Sequence, residues 1–320
     1  MAWLEPEAHP DLQGSKKLEH TSYAEFRHAL IKERVCLGPD ENGVLQYMPK
    51  AEWGLTYERG RIYWNVIFML GKEVQPNEFN LWTGFSVTAI KGDCGKHLWH
   101  IREIICAGNE EHYQCTIRWM ARAVQRPWER GPVALVWRGP KGPGENLALD
   151  GFRELFCSHY LVITNAEHFV GRFNSHLRAK CLIGCNEAFF AGDKRHEGVL
   201  NGLIIDPQMS IEQKFVDLQA DMNLSQVILL SNLDWVIPTD EQERRFFMVD
   251  VSDRKTGDFE YSRALRQELD HGGKEALLYH LMHEVDISQF EPRNVPHTKA
   301  LRSQMSEAAD CNRSKFPDMI

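Results

Sequence analysis

"VALVWRGPKGPGENLALDGFRELF", residues 133–156, joins an apolar run to a helical pattern through a glycine-rich turn. Gly139, Gly142 and Gly144 leave room for backbone N–H groups to approach phosphate oxygens, and the helix N-terminus behind them attracts negative charge. A strand, such a turn and a helix in succession are typical of a phosphate-binding loop. The same pattern also occurs as a plain structural turn, so this stretch alone leaves both interpretations open.

Two positions of this loop carry unexpected side chains. Glu145 stands where a phosphate loop needs a lysine, and Asn146 stands where a Ser or Thr hydroxyl would contact magnesium. A carboxylate 4 Å from a phosphate charge is repelled by about 4 kcal/mol at an effective dielectric constant of 20. That repulsion lowers affinity by on the order of a thousandfold. Lys141 could take the place of the lysine missing at position 145. Related loops, however, can carry a lysine at the position of Lys141 in addition to the phosphate-binding lysine.

From residue 132 onward, short apolar runs alternate with helical stretches, which predicts a parallel sheet with crossover helices. The predicted strands are VALVW (133–137), YLVIT (160–164), CLIGC (181–185), QVILLS (226–231) and RFFMVDV (245–251). The fold class is therefore α/β, with a nucleotide-binding type of core and a parallel central sheet.

The regions on either side of this core differ from it. Residues 1–110 are rich in aromatics and turn residues, which predicts a smaller α+β region of brief strands and loops. We assign residues 111–258 to the P-loop NTPase-like core, beginning with a helix that ends before Pro127. Residues 259–320 are predicted to form C-terminal helices, split by Gly272 and Gly273, and a polar tail.

The amino-acid composition of the chain limits the classes of function that are possible. The formal net charge of -8 provides no general attraction to nucleic acid or acidic lipid, although a few loops could still bind DNA. No apolar run is long enough to span a membrane, and the N-terminus lacks a signal-peptide pattern, so we expect a cytoplasmic protein. Cys181 and Cys185 lack a second pair at metal-site spacing. We therefore expect buried free thiols and no metal-ligand set.

Polar residues follow two of the predicted strands and stand at the start of a third. Asn186 and Glu187 come after CLIGC, where an NTPase holds magnesium with an Asp and polarises water with a Glu. Asn232 follows the fourth strand, where a sensor of the γ-phosphate would lie. Arg244 and Arg245 precede the fifth strand, in the position of an arginine that reaches a neighbouring subunit's nucleotide.

With these residues in place, the chain resembles the helicase domain of phage and plasmid primase-helicase proteins, in the poxvirus-like branch of the superfamily 3 helicases. The similarity extends from about residue 57 to residue 301. The stretches that carry it are FNLWTGF (79–85), WMARAVQRP (119–127), VALVWRGPKGPGEN (133–146), ITNAEHFVGRFN (163–174), NEAFFAGD (186–193), SNLDWVIP (231–238) and ERRFFMVDVSD (243–253).

The resemblance implies an AAA+-like ATPase that uses ATP and Mg²⁺ and assembles into a ring, usually a hexamer, around single-stranded DNA. The implied nucleotide-binding positions are Gly139, Lys141, Gly142, Gly144, Glu145, Asn146 and Asn186. The implied catalytic residues are Glu187, Asn232, Arg244 and Arg245. Lys214 lies where this group places a DNA-contacting loop, although a solvated surface lysine is an equal alternative. Because relatives often carry a priming module upstream, a separate primase or polymerase is an implied partner.

Three functions remain open at this level. One is an active ATP-dependent DNA helicase, which the ordered motifs favour. Another is a degenerate relative that binds DNA or forms a ring but hydrolyses ATP weakly or not at all, acting in assembly, loading or regulation. The third is an unrelated α/β domain or a prophage remnant. Glu145 and Asn186 alter two separate motifs, and both changes weaken the binding of nucleotide or Mg²⁺. We therefore favour the degenerate relative.

Overall fold

The computed structural model places most of the chain in defined positions. The residues it describes are 2–4, 18–20, 23–57, 63–71, 73–139, 145–165, 171, 174–186, 194–213, 216–232 and 244–306. Contacts divide the chain into two compact units. One comprises Met1–Ile67 with Val74–Asn80, and the other comprises Phe68–Glu73 with Leu81–Ile320. The functional division at residues 110 and 258 stays a prediction.

The first unit is built from short elements. Its strands are β1 (Ala2–Leu4), β2 (Leu18–His20), β3 (Arg34–Pro39), β4 (Leu45–Pro49), β5 (Asn65–Ile67) and β6 (Glu78–Asn80), and its helices are α1 (Tyr23–Ala29) and α2 (Lys50–Thr56). The first two strand pairs are antiparallel and the third is parallel. Among the described residues of this unit, Ala51 is the one fully buried side chain. Trp64, by contrast, is 79% exposed.

A five-stranded sheet forms the centre of the second unit. Its strands are β7 (Ala134–Arg138), β8 (Tyr160–Ile163), β9 (Leu182–Asn186), β12 (Gln226–Ser231) and β13 (Phe246–Asp250). They lie in the order β13-β7-β12-β9-β8, and every neighbouring pair is parallel. All five strands predicted from sequence are confirmed to within one residue at each end, as is the parallel sheet.

Helices surround this sheet. They are α3 (Gly95–His100), α4 (Glu110–Gln125), α5 (Glu145–Arg153), α6 (Lys194–Ile205), α7 (Phe259–Glu268), α8 (Lys274–Tyr279) and α9 (residues 299–306). The predicted break in the C-terminal helices is confirmed, because Gly272 has φ +97° between α7 and α8. Among the described residues, no helix has both the length and the apolar character needed to cross a membrane.

The two faces of the sheet belong to separate hydrophobic cores. On one face, Leu135 and Trp137 of β7 pack with residues of α4, α5 and α8. On the other face, Ala134 and Val136 pack with α6 and α9. Alternate residues of one strand thus enter opposite cores, which gives a three-layer α/β arrangement.

An antiparallel hairpin between α6 and β12 is not part of the sequence prediction. Its strands are β10 (Gln208–Gln213) and β11 (Val216–Met222), with a register irregularity between Ile211 and Gln213. Asn223, which is 2% exposed, holds the base of the hairpin by donating to the carbonyls of Leu203 and Asp206 at the end of α6.

Gly151 marks the closest approach between α5 and α3. A Cβ atom at this position would overlap the ring of His97, which is fully buried and therefore has no room to move aside. The glycine lies in the last turn of α5, where it lowers helix propensity. Its presence is explained by the packing of the imidazole against the helix backbone.

Gly151→Ala is expected to reduce the free energy of unfolding by about 1–3 kcal/mol, because overpacking outweighs the gain in helix propensity. Gly198→Ala in α6 is the matched control. No described atom lies within 4 Å of a Cβ built there, so this change is expected to stabilise by about 0.5–1 kcal/mol. Urea unfolding measures both. Equal stabilisation by the two substitutions would contradict the contact with His97.

Candidate nucleotide site

The carboxyl ends of the central strands meet at one edge of the sheet. Asn186, the last residue of β9, is level with Leu230 of β12, and Leu230 is level with Trp137 of β7. One residue further along, Ser231 is level with Arg138. The backbone N–H of Gly139 donates to the carbonyl of Ser231 at 3.0 Å. The start of the glycine-rich loop is therefore attached to the end of the neighbouring strand.

Asn146 and Asn186 are brought together at this edge. Helix α5 begins at Glu145, and the exposed Asn146 lies in its first turn. The amide Nδ2 of Asn186 donates to Oδ1 of Asn146 at 3.3 Å, across 40 residues of sequence. Oδ1 of Asn186 is buried and has no hydrogen-bond partner among the described residues. The positions predicted to face a magnesium ion are thus neighbours, as a nucleotide site requires.

Several predicted site residues lie outside the described part of the chain. They are Lys141, Gly142, Gly144, Glu187 and Lys214. For Glu145, the structure describes the backbone at the start of α5 and not the side chain. The roles of these residues stay predictions.

Asn232 lies at the same edge of the sheet as Asn186. It directly follows Ser231, the last residue of β12, and is partly buried. Since β12 lies between β7 and β9, the residue after it emerges beside the ends of those two strands. This location suits the predicted sensor role, which itself stays a prediction.

Arg244 and Arg245 lie at the opposite edge. The N–H of Ala134, the first residue of β7, donates to the carbonyl of Arg245 at 2.8 Å. A five-residue strand is roughly 15 Å long, which exceeds the reach of an arginine side chain. Within one chain, these arginines do not join Asn146 and Asn186. Their predicted action on a neighbouring subunit's nucleotide stays a prediction.

The structure contains an ion pair, at the end of the strand that precedes the glycine-rich loop, that the sequence analysis did not predict. Nε of Arg138 lies 2.7 Å from Oδ1 of Asp250, and the Arg138 side chain is only 16% exposed. Arg138 directly precedes Gly139, the first residue of the glycine-rich loop, and its guanidinium is paired with the Asp250 carboxylate. The signal was present in the sequence, because Arg138 directly follows one predicted strand and Asp250 lies near the end of another. Their adjacency, however, depends on strand order.

The β10–β11 hairpin is held from outside by Asn174. Its Nδ2 donates to the carbonyl of Ser210 at 2.8 Å, and its Oδ1 accepts from the N–H of Glu212 at 2.8 Å. The backbone N–H of Asn174 donates to the carbonyl of Glu212. An ion pair of 3.1 Å between Arg178 and Asp221 adds a contact to β11. Lys214 lies between these two strands in sequence, outside the described residues.

The cysteines near the site are buried thiols, as predicted. Cys181 and Cys185 are free and fully buried, and burial raises the pKa of both thiols well above its ordinary value. Both therefore remain protonated at neutral pH. In the described ranges, no group of three or more His, Cys, Asp and Glu side chains is arranged to hold a metal ion.

Comparisons with known proteins define the fold further. Residues 137–245 match a family of unknown function, DUF5906. The chain is similar to the apo structure of the C-terminal region of NrS-1, with a TM-score of 0.68 and 17% identity over 91% of this chain and 76% of that chain. The apo A form of that region gives a TM-score of 0.67 and 17% identity, over 88% of this chain and 74% of that chain. No curated protein matches. The chain therefore shares the fold of the NrS-1 C-terminal region.

Proposed function

We propose that this protein is a superfamily 3 helicase-like component of phage or plasmid DNA replication, and that it binds single-stranded DNA with weak or no ATP hydrolysis. The observation that carries the proposal is the contact between Asn146 and Asn186 at the carboxyl edge of a parallel sheet. Ligands of open α/β sheets bind at that edge. Both residues occupy nucleotide-site positions in the family motifs, and both carry amides.

Weak hydrolysis follows from the chemistry of two positions. Glu145 begins α5, where it adds negative charge in place of the lysine that would bind the outer phosphates. Asn186 has no carboxylate with which to hold Mg²⁺. ATP and Mg²⁺ are the cofactors of the family, and this chain has lost the charges that bind them best. Glu187 remains as the residue that would activate water.

A homo-oligomeric ring fits the positions of Arg244 and Arg245. They lie at the end of the sheet opposite Asn186, and so they could serve a nucleotide only in another subunit. An AAA+-like core arranged in a ring places them there. A separate primase or polymerase would supply primers in this arrangement.

The hairpin that contains Lys214 is the proposed DNA-binding element. Asn174 bonds its first strand, β10, and Asn223 bonds its base to the end of α6. Support of this kind limits the entropy lost when the segment between the two strands binds a ligand. A lysine in that segment would contact the phosphates of single-stranded DNA.

Lys214→Ala is expected to weaken binding to a single-stranded oligonucleotide about three- to tenfold and to reduce the salt slope of log K by about 0.7, the contribution of one phosphate contact. Fluorescence anisotropy at several salt concentrations measures both quantities. Lys299→Ala, which removes an exposed lysine from α9, is the matched control and should leave both unchanged.

An equal loss of DNA affinity in Lys214→Ala and Lys299→Ala would mean that DNA binding is not localised at the hairpin. Failure of the unmodified protein to bind single-stranded DNA at low salt would reject the DNA-binding part of the proposal. Sedimentation of the same samples tests the ring, because a hexamer and a monomer separate readily.

A further inference from the structure

The residues at the metal-facing positions do not fit Mg²⁺. The family resemblance implies an ion bound between the loop helix and the strand that precedes Glu187. In nucleotide sites, Mg²⁺ is held through one or two carboxylates together with phosphates and waters. Asn186 offers a neutral carboxamide in place of the carboxylate, and Asn146 offers one in place of a hydroxyl. The Asn146 oxygen, moreover, already accepts a hydrogen bond from the Asn186 amide at 3.3 Å.

The contact is kept when both amides are rotated together. Each carboxamide has an N–H₂ donor on one side and a C=O acceptor on the other. If both groups rotate, Asn146 donates and Asn186 accepts, and one bond still joins them. A cation between the two side chains would have to break this bond, and it would gain only neutral oxygen ligands in return.

We propose that these carboxamides form a metal-free latch between the first turn of α5 and the end of β9, so that nucleotide binding at this edge does not require Mg²⁺. The inference rests on the proposed function in one respect, since it concerns the nucleotide site of that protein. The latch connects directly the two elements that a magnesium ion would otherwise bridge.

The buried Oδ1 of Asn186 supports the metal-free state. It has no hydrogen-bond partner among the described residues, so it is the remaining acceptor on the inner side of the pair. A neutral amide oxygen holds Mg²⁺ less strongly than a carboxylate does. It suits a single donor, such as a water molecule or an N–H group of a ligand.

Amide hydrogen exchange of the nucleotide-free protein tests the latch. Asn186→Ala is expected to speed exchange in the first turns of α5 about two- to tenfold, the effect of losing one hydrogen bond. Asn186→Asp should stay within about twofold of the original rate, because the Asn146 amide can donate to the carboxylate. Strand β13 serves as the internal reference. Unchanged exchange in α5 of Asn186→Ala would overturn the latch.

The magnesium requirement is tested with fluorescent ADP in the Glu145→Lys background, which restores the lysine. Millimolar Mg²⁺ should change the affinity of this variant by less than about twofold, and should tighten binding about tenfold or more once Asn186→Asp is added. Equal tightening in both variants would overturn the inference. Neither experiment involves DNA, so the failure of these tests is distinguishable from the failure of DNA binding.

Discussion

Glu145→Lys combined with Asn186→Asp is expected to raise the affinity for ATP in the presence of Mg²⁺ by on the order of a thousandfold. The first change replaces a repulsion of about 4 kcal/mol between carboxylate and phosphate with an attraction. The second supplies a carboxylate at the end of β9, where its side chain reaches Asn146. Isothermal titration calorimetry of the original and the double variant measures the gain.

Glu260→Lys is the matched control for this experiment. It makes the same change in charge as Glu145→Lys, at an exposed position of α7, and it should leave the affinity for ATP unchanged. No gain in the double variant would show that the loss of nucleotide binding extends beyond these two motifs. Robust ATP hydrolysis by the unmodified protein, abolished by Glu187→Gln, would contradict the proposal of a degenerate site.

His97 is expected to make the protein sensitive to acid. Its side chain is fully buried in α3, and neither ring nitrogen has a hydrogen-bond partner among the described residues. Burial, with a smaller contribution from His100, lowers the pKa of His97 to about 3. The nearby Glu268 carboxylate accepts from the backbone N–H groups of Lys96 and His97, not from the ring.

The sign of the pH effect follows from this lowered pKa. Above pH 6.5, His97 is neutral in both states and does not affect the pH dependence of stability. As the pH falls below 6.5, the unfolded chain binds a proton that the folded protein excludes, and the free energy of unfolding drops by about 2 kcal/mol at pH 5. The loss continues until the pH approaches the folded pKa of about 3.

Urea unfolding between pH 7.5 and pH 5 measures this dependence. His97→Leu, which replaces the ring with an apolar side chain of similar size, should remove most of the His97 contribution. His271→Leu, at an exposed imidazole, is the control and should retain the original pH dependence. If His97→Leu loses stability with acid as steeply as the unmodified protein, another group is responsible.

The sequence alone determined the central strands, for a definite physical reason. Strands of a parallel sheet are buried on both faces and appear as continuous apolar runs, as in QVILLS, whose six residues are all buried. The C-terminal break at Gly272 was equally readable, because a positive φ favours glycine. The hairpin of β10 and β11 escaped prediction, since its strands mix polar residues with exposed apolar ones such as Leu218 and Met222.

The sequence motifs assigned Asn146 and Asn186 to one site, but tertiary structure decided which polar side chains contact each other directly. Asn146 and Asn186 are in contact because α5 and β9 adjoin in the folded unit, and strand order is not encoded in the pattern of any single strand. The same order places Arg138 beside Asp250, and it places Arg245 at the far end of the sheet. Likewise, from the sequence alone Gly151 is a residue that weakens a helix. Only its packing against His97 explains why no larger residue fits there.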